Sequence, residues 1–262
     1  MNRINRRLVL LSLPLIAGFL LFYLLPLIGS VRYSFVKSAF DQSFVGWENY
    51  RETLNNRNFQ LSVRNTLELL LTGVPMLVIT ALSLALLVKS IGERMPVLRA
   101  ALLLPMLLPS AAVADVFGKL GASNPRIPLL AIYIWKNAGF LMLIFLAAFS
   151  MVPKEIYEAA SLDGANRRQL LFRMTIPMIS GAIVFSVILA AAYNLRLFRE
   201  AYVLYGAYPD QSVYLTQHYM NNHFYKLNYQ KLTTAASMFS CVLFVFVGLG
   251  LRISRKLTEG RG

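Results

Sequence analysis

Long blocks of apolar residues, separated by short polar segments, dominate the sequence. They run over about Leu8–Val31, Asn65–Val88, Leu98–Phe117, Pro128–Ser150, Pro177–Leu195 and Thr233–Leu251. A helix needs about 20 mostly apolar residues to cross the hydrocarbon core of a bilayer, and the blocks are near that length. They lack the one-sided stripe of a soluble amphipathic helix. The pattern predicts an all-α membrane protein, a polytopic bundle of about six transmembrane helices.

Composition and charge agree with this prediction. The 262 residues are 57% hydrophobic and only 15% charged, which is too few charges to cover the surface of a soluble domain. A net charge of +14 suggests a nucleic-acid partner. The lysines and arginines, however, cluster at the ends of the apolar blocks, which is typical of membrane topology. We therefore expect the lipid bilayer, and no nucleic acid, as the partner of these basic residues.

The first block raises the question of a signal peptide, because Arg3, Arg6 and Arg7 precede it. It runs from about Leu8 to Val31, which exceeds a typical signal core of about 7–15 residues, and no clear small-x-small cleavage site follows it. We interpret it as a retained first span.

The distribution of lysine and arginine predicts the orientation. An even number of spans puts both termini on one side, and the basic residues are denser on that side. The sequence therefore predicts cytoplasmic termini. The loops on the other side, about Arg32–Arg64, Gly118–Ile127 and Arg196–Leu232, are each too short for a separate folded domain. A single transmembrane domain over residues 1–262 is the simplest organisation.

The loop between the fourth and fifth blocks predicts two short helices. Pro153 suits a first helical turn, and Glu158 lies on the helix that follows. Gly164 can end that helix in a left-handed conformation, and Asn166 can cap the start of a second one. Taken singly, these are features of a well-capped turn.

Their order resembles a known family. Glu158-Ala159-Ala160 is followed after three residues by Gly164 and, after nine more, by Met174-Thr175-Ile176-Pro177. This is similar to the pattern E-A-A-x3-G-x9-I-x-L-P in the cytoplasmic loop of ABC importer permeases. Met174 and Ile176 replace isoleucine and leucine conservatively.

The resemblance extends beyond this loop. Three further segments look like segments of carbohydrate-type permeases. They are Tyr33-Ser34-Phe35, Gly46-Trp47-Glu48-Asn49-Tyr50 and Tyr202–Pro209. Ala207-Tyr208 departs from the Gly-Gly usual there, which puts the substrate class in more doubt than the architecture. The chain thus resembles the first permease of a heterodimeric sugar importer with the type I ABC importer permease fold.

This resemblance implies a function and a set of partners. It implies that a segment at about 152–177 is a cytoplasmic coupling loop. In this loop a separate ATPase would be contacted by Glu158, Ala159, Ala160 and Gly164. The resemblance also implies a second, non-identical permease, two ATPase subunits that bind ATP and Mg, and an extracytoplasmic solute-binding protein. No cofactor is expected in this chain. The location implied is the inner (plasma) membrane of a bacterial cell, and the cargo a sugar or oligosaccharide.

Polar residues within or beside the apolar blocks are candidates for the substrate pathway, because such residues are costly in a membrane. The set comprises Tyr193, Asn194, Arg196, Asp115 and Glu68. For Tyr193 and Asn194 the resemblance to sugar permeases also implies a pathway position. Asn194 can equally bond a neighbouring span, and Glu68 and Arg196 can extend to the membrane interface; these alternatives stay open.

No pattern for catalysis or nucleotide binding occurs in the sequence. The motifs G-x-x-x-x-G-K-[ST], H-E-x-x-H and G-x-S-x-G are missing, so we expect a transport subunit and not an enzyme. His218 and His223 have no evident third ligand, and we expect no metal site there. The alternative function is an ion-coupled secondary transporter of a small polar solute, which would need coupling carboxylates or an inverted repeat.

Overall fold

The computed structural model describes residues 12–38, 40–91, 96–118 and 123–259. These ranges are overwhelmingly helical, in agreement with the predicted all-α class. We number the helices α1 to α12. Their bounds are Ser12–Tyr33 (α1), Glu48–Asn55 (α2), Arg57–Ile91 (α3), Pro96–Leu107 (α4), Ser110–Gly118 (α5), Arg126–Ser150 (α6), Lys154–Leu162 (α7), residues 167–178 (α8), Ser180–Arg196 (α9), Phe198–Tyr205 (α10), Thr216–Tyr225 (α11) and Tyr229–Glu259 (α12).

Within the described ranges, five helical segments are long and apolar enough to cross a membrane. They are Ser12–Tyr33, Arg57–Ile91, Arg126–Ser150, Ser180–Tyr205 and Tyr229–Ile253. A sixth span results if α4 and α5 are counted together. The prediction of about six transmembrane helices is therefore confirmed, although the predicted start at Leu8 lies outside the described residues.

The third predicted span, Leu98–Phe117, is not a straight helix. It is divided into α4 and α5, which are bent by 97° relative to each other. Pro109 lies at the break, and proline lacks the N–H that would continue the helical ladder. Val113 N donates to the Pro109 carbonyl at 3.2 Å, which starts α5 in its new direction.

The predicted outer loops are also more helical than expected. The helix of the second span begins at Arg57 instead of Asn65, so residues placed in the first outer loop belong to α3. The region Arg196–Leu232 contains α10, α11 and a short 3₁₀ turn, Gln211–Val213. The length of the apolar blocks identified the spans, but it could not show that their polar ends continue as helix.

The described residues form two compact groups. The first contains Tyr219–Leu243 and the described residues up to Gln60. Asn49 Nδ2 donates to the carbonyls of Ser34 and Val36, both at 2.8 Å, and fixes α2 against the turn after α1. Lys231 of α12 pairs with Glu52 of α2 at 2.7 Å.

The second group contains Leu61–His218 and the described residues from Phe244 onward. Its core packs α3, α6 and α9 through fully buried residues, among them Leu77, Phe145 and Ala190. Ala81 and Ala85, one helical turn apart, are both buried. Small residues at this spacing allow membrane helices to approach closely.

At Gly139, α6 approaches α4 so closely that a side chain has no room. A Cβ at this position would overlap the Leu102 carbonyl group of α4, with the carbonyl carbon only 2.6 Å away. We expect Gly139→Ala to destabilise the protein by about 1–3 kcal/mol or more, because backbone must move. The check is the apparent melting temperature of the detergent-purified chain.

Gly181→Ala is the matched control, since no atom lies within 4 Å of its Cβ position. Alanine favours a helix over glycine by about 1 kcal/mol, so this variant should melt at the same temperature or higher. Equal melting of the Gly139→Ala variant and the unchanged protein would contradict the close approach of α4 and α6.

Candidate functional site

Helix α7, in the loop between the fourth and fifth predicted spans, has a fixed end. Gly164 takes the left-handed conformation, with φ of +78°. Its N–H donates to the Ser161 carbonyl at 3.1 Å, and the Ala165 N–H donates to the Ala160 carbonyl at 3.0 Å. These two bonds form a Schellman motif. The predicted left-handed glycine cap is confirmed.

The second helix of the loop, α8, starts as predicted. The Asn166 side chain accepts from Gln169 N at 2.9 Å, and the Gln169 side chain accepts from Asn166 N at 2.8 Å. This reciprocal pair is a capping box. Residues Leu170–Thr175 of α8 are wound as π-helix, which local sequence did not indicate.

Tyr157 holds α7 against the membrane-spanning helices. Its hydroxyl hydrogen-bonds the Thr175 hydroxyl of α8 at 3.1 Å. Its ring lies 4.8 Å from the ammonium of Lys89, at the end of α3, and that same ammonium lies 5.0 Å from the Phe149 ring of α6. One lysine thus joins α3, α6 and α7 by cation–π contacts. Sequence analysis missed Lys89.

The outer face of α7 is open to solvent. Glu158 and Ala159 are exposed, Leu162 is 90% exposed, and Ala160 is buried against the rest of the chain. The face therefore offers an acidic group, a small residue and a large apolar residue side by side. Of the four predicted coupling residues, Ala160 packs inward and Gly164 sets the end of the helix.

We expect Lys89→Met to weaken the link between α7 and the spans, because methionine keeps the volume but removes the cation. A cation–π contact contributes about 0.5–2 kcal/mol, so if α7 has the coupling role that the sequence resemblance implies, uptake should fall about threefold or more. Lys89→Arg preserves the cation and should retain most of the transport. Initial uptake rates in cells, at matched membrane levels of each variant, are the measurement.

The exposed Lys256 of α12 provides a control, since its replacement by methionine removes one positive charge from a different helix. A loss of uptake as large in Lys256→Met as in Lys89→Met would show that charge alone, and not the contact, is responsible.

A cavity of about 190 Å³ lies in the second compact group, where α6, α9 and α10 meet the start of α5. We call it the Lys136 cavity. Its wall includes Met106, Ser110, Ile132, Tyr133, Lys136, Asn137, Tyr193, Arg196, Leu197, Arg199 and Glu200. Two predicted pathway residues, Tyr193 and Arg196, are therefore brought together here.

An ion pair crosses this cavity. Lys136 Nζ of α6 lies 2.8 Å from Glu200 Oε1 of α10, and their side chains are only 14% and 8% exposed. The Ser110 hydroxyl of α5 donates to the same carboxylate oxygen at 2.8 Å. Sequence analysis placed Glu200 in an outer loop and missed it. The available signal was Lys136, since a lysine within a span requires a counterion.

Asn194 is buried and does not line the cavity. Its Nδ2 donates to the Leu69 carbonyl of α3 at 3.2 Å. Gly73 leaves the space for this contact, because a Cβ there would lie 3.0 Å from Asn194 Nδ2 and 3.1 Å from the Tyr133 ring. This geometry favours the alternative in which Asn194 bonds a neighbouring span.

Glu68 belongs to a different cluster, which we call the Arg126 cluster. Arg126 Nη1 lies 2.6 Å from Glu68 Oε2, and Arg126 Nη2 donates to Asn65 Oδ1 at 2.9 Å. Arg64 adds a second ion pair with Glu68, at 2.8 Å. The cluster fixes the start of α6 against α3. Asp115, on α5, is exposed and stands outside both cavity and cluster.

His218 of α11 has the surroundings of a neutral core histidine. It is completely buried, its Nδ1 accepts from Leu215 N at 3.1 Å, and its ring meets Phe198 edge-on at 4.8 Å. Burial lowers the pKa of His218 to about 4.

Comparison with known proteins identifies relatives over most of the chain. The model of the family described as binding-protein-dependent transport system inner membrane component matches residues 69–259. The trehalose/maltose transport system permease protein MalF of Thermococcus litoralis is 30% identical over 227 residues, covering 76% of this chain and 77% of that protein. The arabinooligosaccharides transport system permease protein AraP of Bacillus subtilis is 29% identical, covering 95% of this chain and 87% of that protein.

A solved structure has the same architecture. It is that of a bacterial ABC transporter involved in the import of the acidic polysaccharide alginate. The TM-score is 0.76 at 25% identity, and the match covers 97% of this chain and 98% of the other. The family match over residues 69–259 includes α7 and the residues that line the Lys136 cavity.

Proposed function

The chain belongs to the family of binding-protein-dependent transport system inner membrane components, and from this premise we propose that it is a permease subunit of an ATP-driven importer of a sugar or oligosaccharide. The trehalose/maltose and arabinooligosaccharide permeases among its relatives support this cargo. It would form half of the translocation pathway, beside a second, non-identical permease.

The observation that carries the proposal is the exposed face of α7. The Schellman cap and the Tyr157 contacts fix this helix, while Glu158, Ala159 and Leu162 remain on the surface. A rigid helix with an exposed acidic, small and apolar face suits insertion into a groove of another protein. We propose that the groove belongs to an ATPase subunit, which binds ATP and Mg and supplies the energy.

The mechanism then follows from the connections of α7. Movement of the ATPase subunits pushes or pulls α7, and Lys89, Phe149 and Thr175 pass the displacement to α3, α6 and α8. Packed helices of this kind shift as bodies between two arrangements. The Lys136 cavity is a place where such a shift alters access for the cargo.

Orientation and partners follow from the same proposal. Helix α7 must face the cytoplasm to meet an ATPase, which places both termini of the chain there, as the basic residues predict. A solute-binding protein on the opposite side delivers the cargo, in keeping with a binding-protein-dependent family.

Purification of the tagged chain from its native membrane tests the proposal. We expect an ATPase and a second permease to co-purify, and the complex in proteoliposomes to take up solute only with ATP and the binding protein. A chain that works alone and follows an ion gradient would instead establish the secondary transporter.

A further inference from the structure

The charges of the Lys136 cavity do not balance. Three basic side chains, Lys136, Arg196 and Arg199, line it with one carboxylate, that of Glu200. The carboxylate is engaged by Lys136 at 2.8 Å and by the Ser110 hydroxyl at 2.8 Å. The two guanidinium groups therefore remain as excess positive charge on the wall.

Neither guanidinium has an acidic partner within ion-pair distance in the described part of the chain. Arg196 ends α9 and Arg199 follows in the first turn of α10, so only two residues lie between them, and both line the same wall. Both lie in the segment Ser180–Tyr205, which is apolar enough to span a membrane. Both side chains are exposed, so an anion that enters the cavity can reach the two guanidinium groups and balance their charge.

The rest of the wall suits a saccharide. Tyr193 provides an aromatic face, and Asn137 provides an amide whose nitrogen donates to the Tyr133 carbonyl at 2.7 Å, which leaves its oxygen available to a hydroxyl. At about 190 Å³ the cavity is smaller than the roughly 300–1,000 Å³ of pockets that enclose drug-sized ligands. It accommodates about one sugar unit at a time.

We propose that the Lys136 cavity binds an acidic saccharide, whose anionic group is held by Arg196 and Arg199 while its ring lies against Tyr193. The guanidinium fork matches the two oxygens of a carboxylate. This inference rests on the proposed importer function and narrows its cargo from sugars in general to anionic ones.

The test uses the co-purified transporter complex in lipid nanodiscs without binding protein, so that selectivity comes from the permeases. The probes are trigalacturonate and the neutral trisaccharide maltotriose, and the measurement is affinity by titration calorimetry with saturation-transfer NMR. We expect trigalacturonate to bind about tenfold more tightly, because the hydrogen bonds between a guanidinium and a carboxylate are charge-assisted. The preference should shrink as salt is raised.

Variants assign the preference to the two arginines. Arg196→Gln and Arg199→Gln should each weaken trigalacturonate binding about tenfold and leave maltotriose binding nearly unchanged. Arg51→Gln, which removes an exposed arginine outside the cavity wall, should alter neither.

Three results would overturn the inference. The first is equal affinity for the two saccharides, as expected if a carboxylate of the second permease already neutralises the arginines. The second is no binding of trigalacturonate. The third is equally tight binding of citrate, which would show a site for small anions in general. Any of these in a complex that still couples ATP hydrolysis to uptake leaves the proposed function intact. If no ATPase co-purifies, the proposed function itself fails, and this inference fails with it.

Discussion

Glu200→Ala is expected to destabilise the protein more than any other single loss of a charge in the second compact group. The substitution leaves the Lys136 ammonium, 14% exposed, without the carboxylate that lies 2.8 Å away. Removing one partner of a buried ion pair costs about 3–5 kcal/mol, because the other charge stays buried. At about 2–4 °C per kcal/mol for a chain of this size, the apparent melting temperature should fall by roughly 10 °C.

Two further variants separate the ion pair from a general loss of packing. Glu52→Ala breaks the more exposed pair with Lys231, whose side chains are 27% and 57% exposed. A pair on the surface contributes about 0–1 kcal/mol, so its loss should barely change melting. The double variant Lys136→Met with Glu200→Leu removes both charges and should recover most of the lost stability. Equal melting of the Glu200→Ala and Glu52→Ala variants would contradict the buried pair.

The helical membrane fold and the two capped helices of the loop at 152–177 could be predicted from the sequence because their signals are local. A block of apolar residues identifies a span by its own length, and the cap at Gly164 and the capping box at Asn166 depend on residues within six positions of each other. The structure contains both caps. The break at Pro109 was also foreseeable in kind, since proline cannot continue a helix, but its 97° bend depends on what packs against α4 and α5.

The polar contacts between helices could not be predicted in the same way. Lys136 and Glu200 are 64 residues apart, and Lys89 meets Tyr157 from a different helix. Only the packing of α6 with α10, and of α3 with α7, brings these pairs together. The same limit explains Asn194, whose sequence position suits the pathway although its side chain bonds the Leu69 carbonyl. A polar residue in a span indicates that a polar partner is needed, but only the folded structure shows which residue that partner is.

This distinction bears on which substitutions test coupling and which test folding. Gly139 and Glu200 lie within the packed helices, so changes there act on stability. Glu158 lies on an exposed face, and Gly164 has open space around it, with no atom within 4 Å of its Cβ position. Changes at these two positions can therefore test the proposed contact with an ATPase subunit while the spans stay folded.

Gly164→Val is expected to abolish most ATP-driven uptake without preventing membrane insertion. A β-branched residue at φ of +78° is strongly disfavoured, at a cost of about 1–3 kcal/mol. The Schellman bonds to Ser161 and Ala160 must then open, and the end of α7 turns away from its fixed position. Gly164→Asn is the matched control, because asparagine tolerates the left-handed conformation, and it should keep most of the uptake.

Glu158→Lys tests the same contact by reversing a charge, whereas Gly164→Val changes the backbone conformation. Glu158 is exposed in this chain, so its reversal should leave folding unchanged, while a lost charge-assisted bond of about 1.5–3 kcal/mol lowers affinity for the ATPase at least tenfold. We expect ATPase activity of the purified complex to become independent of the binding protein in both Gly164→Val and Glu158→Lys, with uptake reduced at least tenfold. Initial uptake and ATP hydrolysis in proteoliposomes, measured with Gly164→Asn in parallel, decide the outcome. Normal uptake in Gly164→Val and Glu158→Lys would remove α7 from the coupling path, because no contact inside the chain would compensate for both changes.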